Sequence, residues 1–125
     1  AYALSMACEM LLKYCIVING GSPPEAHSHV LLAQEVGKLG GQVPKDVRIH
    51  LRTIKEYEAR SRYDMTYVVN PEGVNTIIPV VTKWYQVLHG EFCRAAAEQL
   101  RKKLPPALHS YSDEEIVDNY KNLLE

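Results

Sequence analysis

The residues of this chain best equipped for chemistry stand together in Glu58-Ala59-Arg60-Ser61-Arg62-Tyr63-Asp64. A guanidinium group holds phosphate through paired N–H donors, and a tyrosine ring can stack on a nucleobase. Arg60, Arg62, Tyr63 and Asp64, with Tyr67 shortly after, therefore form a candidate nucleotide- or RNA-binding cluster. Upstream, Lys45, Arg48, Arg52 and Lys55 recur at spacings of three and four residues. On a helix that spacing makes one outer stripe, a second candidate contact with a nucleic-acid backbone. Glu9 and Lys13 form an i, i+4 pair in the favourable order, and with His27 they make a possible cleft. Each group also has a plain structural counterpart. Basic residues at a helix end complement its dipole, a stripe of charge fits a solvated helix face, and a Glu–Lys pair on an apolar helix can anchor a neighbour.

Other chemistries lack their residues. His27-x-His29 has no nearby cysteine or aspartate to complete a metal site, and no cofactor motif stands out. Asn19-Gly20-Gly21 lacks the strand-turn-helix setting of a phosphate loop. The three cysteines, Cys8, Cys15 and Cys93, include no close pair. On one helix Cys8 and Cys15 stand roughly 10 Å apart along the axis, too far for a disulfide. None has a histidine–acid partner in sequence, so a cysteine nucleophile is not expected. Free thiols point to a reducing cytoplasm. No apolar run is long enough for a membrane span, and no signal-peptide pattern is present. The chain begins Ala-Tyr-Ala without a methionine, which fits a processed or trimmed protein with a preceding segment missing.

The elements that must position these groups are helical. With 125 residues, 46% hydrophobic and 23% charged, the chain reads as one domain over residues 1–125, with enough length to bury a core. The net charge of −1 says little about partners, but its distribution is uneven. The region from Lys45 to Arg62 is basic and the tail from Asp113 is acidic. A first helix is expected over residues 3–18, with Ser5, Glu9 and Lys13 as its only strongly polar positions. Ser28 can cap a second, with Leu31, Leu32, Val36 and Leu39 as its apolar face and Gly40-Gly41 as its stop. Pro44 suits the first turn of a third, which carries the basic stripe. Residues 65–74 read as an extended loop ending in Asn70-Pro71-Glu72-Gly73. A long helix should run over about 76–104, its core side including Ile77, Val81, Trp84, Leu88, Phe92, Ala95 and Leu100, with Tyr85 also taken as core. Pro105-Pro106 stops it. Ser112-Asp113-Glu114-Glu115 is a capping box for a short helix over about 113–124. Five helices with short connections predict an all-α, up-and-down antiparallel bundle.

In order and spacing, several of these pieces resemble the HEPN domain family over about residues 2–100. The first helix carries small-x-Glu-x-x-Leu-Lys as Ala7, Glu9, Leu12 and Lys13. A Gly/Pro turn follows at Gly20, Gly21 and Pro23, with His27 before the next helix, and a later helix closes on Arg62-Tyr63. The resemblance implies a helical bundle, frequent homodimers and frequent pairing with a small nucleotidyltransferase in a toxin–antitoxin-like context. In catalytic members, which cut RNA without a metal, an arginine is followed a turn or so later by a histidine. Here Tyr67 stands at that distance from Arg62, while Arg48 to His50 is too close and Arg101 to His109 too far. A phenol with a pKa of about 10 is a poor general base near neutrality. The expected function is therefore a nucleotide- or RNA-binding module without strong intrinsic ribonuclease activity. The alternatives are a metal-independent endoribonuclease of the same family that uses Arg62 with an unusual partner, and a bundle whose role is assembly alone.

Overall fold

The computed structural model describes residues 1–25, 27–63 and 70–123, with side chains left out at 61–63. Among these residues the protein is all-α. Six α-helices are present, α1 (Tyr2–Ile18), α2 (His29–Lys38), α3 (Lys45–Arg48), α4 (Leu51–Tyr63), α5 (Pro71–Arg101) and α6 (Asp113–Leu123), with a 3₁₀ turn at Pro106–Leu108. The chain divides into two compact units, Ala1–Trp84 and Tyr85–Glu125.

In the first unit α1, α2 and α4 pack on one another. Gly20 ends α1 and Gly40 ends α2, each with φ near +88° or +87°, a conformation that costs glycine nothing. Ser28 caps α2 as expected, its Oγ accepting from the Leu31 N–H at 3.4 Å. The buried side of α2 is His29, Leu32 and Val36, whereas Leu31 is exposed. The sequence reading put Leu31 on the core face and left out His29. The imidazole earns its buried place by a bond between Nε2 and the Ser5 carbonyl, 2.9 Å long.

α1 packs with its polar positions inward. Ser5 and Glu9 are buried beside Cys8, Leu12, Cys15 and Ile16. The opposite side, Ala3, Ala7, Met10 and Val17, faces outward. Burial pushes the Cys8 thiol up to about 12, with Cys15 adding to the effect. Cys8 is therefore protonated throughout the neutral and mildly alkaline range. In the native protein it should resist a thiol-specific disulfide reagent at mildly alkaline pH and react once denaturant is added. Rapid native labelling at Cys8 by peptide mapping would contradict this packing.

The single third helix of the sequence reading is two helices. A turn at Ile49–His50 separates α3 from α4, and the His50 N–H bonds the Val47 carbonyl at 3.0 Å. The long helix also starts earlier than expected. Asn70-Pro71-Glu72-Gly73 is its beginning rather than the end of a loop. Asn70 Oδ1 accepts from the Glu72 N–H at 3.0 Å, and Pro71 takes the first helical position, where no N–H is needed. Pro79 consequently lies inside α5. The remainder of the expected loop, residues 65–69, lies outside the described residues.

The second unit has its own core of Ala97, Leu104 and Ile116, closed by Leu100, Leu108, Val117, Tyr120 and Leu123. The expected capping box holds α6: the Glu115 N–H donates to Ser112 Oγ at 3.2 Å, and that hydroxyl donates to Glu115 Oε1 at 3.0 Å. Arg101 Nη1 donates to Asp113 Oδ1 at 2.6 Å and Nη2 to the Tyr111 carbonyl at 2.8 Å. In this unit Cys93 and Ala97 are buried on α5, while Tyr85 and Phe92 are half-exposed. The sequence reading had placed both aromatics in a core. A continuous 3.6-residue period carried the stripe on from Leu88 to Phe92, but the positions α5 buries there are Cys93 and Ala97.

Candidate nucleotide-binding groove

α4 separates its residues cleanly. Leu51, Ile54, Tyr57 and Glu58 are buried, and Arg52, Lys55, Glu56 and Ala59 face outward at helical spacing. Across from this outer side stands the first turn of α2, contributing Ser28, Val30 and Leu31. The two walls enclose an open groove of about 540 Å³, inside the usual range for small-ligand sites. Its chemistry is mixed: two cations and a carboxylate on α4, an apolar strip from Val30, Leu31 and Ala59, and the positive end of the α2 dipole at the Ser28 edge.

The four-residue basic stripe is therefore split. Arg52 and Lys55 share the groove. Arg48 lies on α3 and lines a smaller hollow of about 270 Å³ with Ala33, Gly37, Gly41, Gln42 and Val43, and Lys45 is exposed on α3. Of the arginine-tyrosine cluster, Arg60 is exposed on α4. Arg62 and Tyr63 fall in the last turn of that helix, three and four residues after Ala59. Their side chains, and all of Asp64 and Tyr67, lie outside the described residues.

Glu9, Lys13 and His27 are brought together. Lys13 Nζ lies 3.4 Å from Glu9 Oε2, and His27 Nδ1 lies 3.0 Å from Glu9 Oε1. The carboxylate is almost fully buried, and the imidazole is 56% exposed. Glu9 thus fastens the residue just before the α2 cap to the middle of α1. No group of three or more histidine, cysteine or acidic side chains among the described residues has the geometry to hold a metal ion.

Sequence reasoning missed the α2 wall. Leu31 looked like core because it sits between Val30 and Leu32 in an apolar run. The usable signal was the phase: taking His29, Leu32 and Val36 as one face turns Leu31 outward.

The HEPN domain model matches residues 1–91. The chain belongs to the HEPN domain family. That match takes in the whole first unit, including the groove and the Glu9 cluster, and stops shortly after the second begins. No curated protein and no solved structure gives a significant match. Among the described residues, no helix is long and apolar enough to cross a membrane.

Proposed function

We propose that this HEPN domain is a binding module for phosphate-bearing nucleotides or RNA. The groove between α2 and α4 is the observation that carries the reading: it sets Arg52 and Lys55 side by side against an apolar strip, so phosphate and base each have a matching surface. From the sequence, Arg60, Arg62, Tyr63, Asp64 and Tyr67 are candidates for further contacts with the same ligand. The module works as a homodimer in the cytoplasm, where three free cysteines are at home. It acts beside a small nucleotidyltransferase; membership of the family supports this pairing, and a gene for such an enzyme next door would strengthen it. Metal-independent RNA cleavage through Arg62 is the alternative within the family.

Fluorescence polarisation with a labelled single-stranded RNA tests the reading. Arg52→Ala and Lys55→Ala should each weaken binding by about 1.5–3 kcal/mol if the contact is charge-assisted. Arg62→Ala should cost on the order of 1–3 kcal/mol by the same argument. All of these contacts should fade with added salt. Unchanged affinity in the Arg52→Ala/Lys55→Ala double variant at low salt, with an intact fold, would leave the stripe as a solvated face.

A further inference from the structure

The groove between α2 and α4 holds one group that a phosphate site does not call for. Glu56 lines it together with Arg52 and Lys55, and a carboxylate there repels the phosphate that the two cations attract. The charge of Glu56 is not neutralised inside the protein. Arg52 precedes it by four residues, the weaker order for a helical ion pair, and Lys55 is the adjacent residue. Among the described residues, none of these three side chains has an ion-pair or hydrogen-bond partner. Glu9, by contrast, is tied to both Lys13 and His27.

An ionised carboxylate only accepts, and it offers two oxygens side by side. The ligand that suits it beside a phosphate site carries two neighbouring donors. Unpaired bases are read on their Watson–Crick edges, and of the RNA bases only guanine has two adjacent donors there, N1–H and the N2 amino group. Adenine and cytosine set one amino group beside a ring nitrogen that accepts. Uracil sets its N3–H between two carbonyl oxygens. Each of these brings a lone pair against the carboxylate. The apolar surface that such a base needs is next to Glu56: Ala59 follows on α4, and Val30 and Leu31 stand on the α2 wall. Arg52 lies about 6 Å before Glu56 along the helix axis and Ala59 about 4.5 Å after it. Along α4 the groove therefore presents phosphate donors, an acceptor for a base edge and an apolar floor.

We propose that Glu56 selects guanine: its carboxylate accepts N1–H and the N2 amino group of a guanosine in single-stranded RNA whose phosphate rests on Arg52 and Lys55. This inference rests on the phosphate-binding reading of the groove. A site that must hydrogen-bond its ligand rejects analogues lacking the donor, because its own polar group is then left unpaired. Only a base with both donors offsets the repulsion between Glu56 and the phosphate.

The test uses short uridine oligoribonucleotides of one length that differ only at a central position: guanosine, inosine, adenosine or uridine. Each is titrated against the whole chain at low salt by fluorescence polarisation. Inosine keeps N1–H and lacks the N2 amino group. The guanosine probe should bind most tightly and the inosine probe about tenfold more weakly, the low end for one hydrogen bond to a charged group. The adenosine and uridine probes should bind more weakly still. Glu56→Ala puts a good helix former at an exposed position, so the fold is kept. It should bring the guanosine probe to the level of the adenosine probe and slightly tighten the all-uridine probe, since one like charge is gone. Glu56→Gln, with a single acceptor oxygen, should bind the guanosine and inosine probes alike. A charge that is merely solvated predicts otherwise: Glu56→Ala would strengthen all four probes equally. That result, with binding still lost in Arg52→Ala/Lys55→Ala, would overturn the role of Glu56 and leave the groove reading standing. A guanosine preference that survives Glu56→Ala would overturn it as well. If no probe binds, or if binding ignores Arg52 and Lys55, the groove reading and this inference fall together.

Discussion

Glu9→Ala is expected to be among the most destabilising single changes away from the large apolar core side chains. Removing one partner of a buried ion pair typically costs about 3–5 kcal/mol, because the other charge stays behind without compensation. Here the low end of that range, about 3 kcal/mol, is expected: Lys13 remains partly exposed and can extend its ammonium toward water while its stem stays packed. The change also releases His27 Nδ1. Chemical denaturation followed by circular dichroism measures the effect. The informative companion is the double variant Glu9→Leu/Lys13→Leu, since apolar replacement of both members of a buried pair is often neutral or stabilising. Recovery of stability there would assign the loss in Glu9→Ala to the charge left behind unpaired rather than to lost packing. A Glu9→Ala protein as stable as the natural one would mean that the carboxylate is not the internal tie its distances describe.

The helices were largely legible because most boundaries depend on local chemistry. The caps at Ser28 and Ser112 and the glycine stops at Gly20 and Gly40 need only neighbouring residues, and each was read correctly from the sequence. Errors arose where a local signal admits two meanings. Asn70-Pro71 suits a loop end and a helix start equally well, and only the side-chain bond from Asn70 back to the Glu72 N–H decides. The turn at Ile49–His50 carries neither glycine nor proline, so nothing in composition marks the break between α3 and α4. The site follows the same division. Glu9, Lys13 and His27 could be named from spacing and from the family pattern, but the bond joining residues 9 and 27 crosses a long stretch of chain. The groove was half visible, since Arg52 and Lys55 stand out as charges. Its other wall depended on the rotation of α2, which the apolar run Val30-Leu31-Leu32 conceals.

The rotation of α1 bears on assembly as well. Ser5 and Glu9 go inward with Cys8, Leu12, Cys15 and Ile16, which turns Met10, Val17 and Ile18 outward. Met10 is 62% exposed, Val17 53% and Ile18 51%. Ala3, Ala7, Met10 and Val17 follow one another at spacings of four, three and seven, the interval at which a helix meets a partner helix along one seam. None of these positions carries a charge, so two copies of the seam do not repel each other across a two-fold axis. A face of this kind is unusual on a protein that stays monomeric in water. The natural chain should therefore sediment as a dimer at micromolar concentration. Met10→Lys should convert it to a monomer with its fold intact, because residue 10 takes no part in the internal core. Burying a methionine contributes about 1.5–3 kcal/mol, and the symmetry counts it twice; the lysine removes that contribution and sets two ammonium groups against each other. A natural protein that sediments as a monomer, or a Met10→Lys variant that dimerises equally well, would show that α1 does not form the contact. In that event the exposed seam would need a different covering, such as another protein.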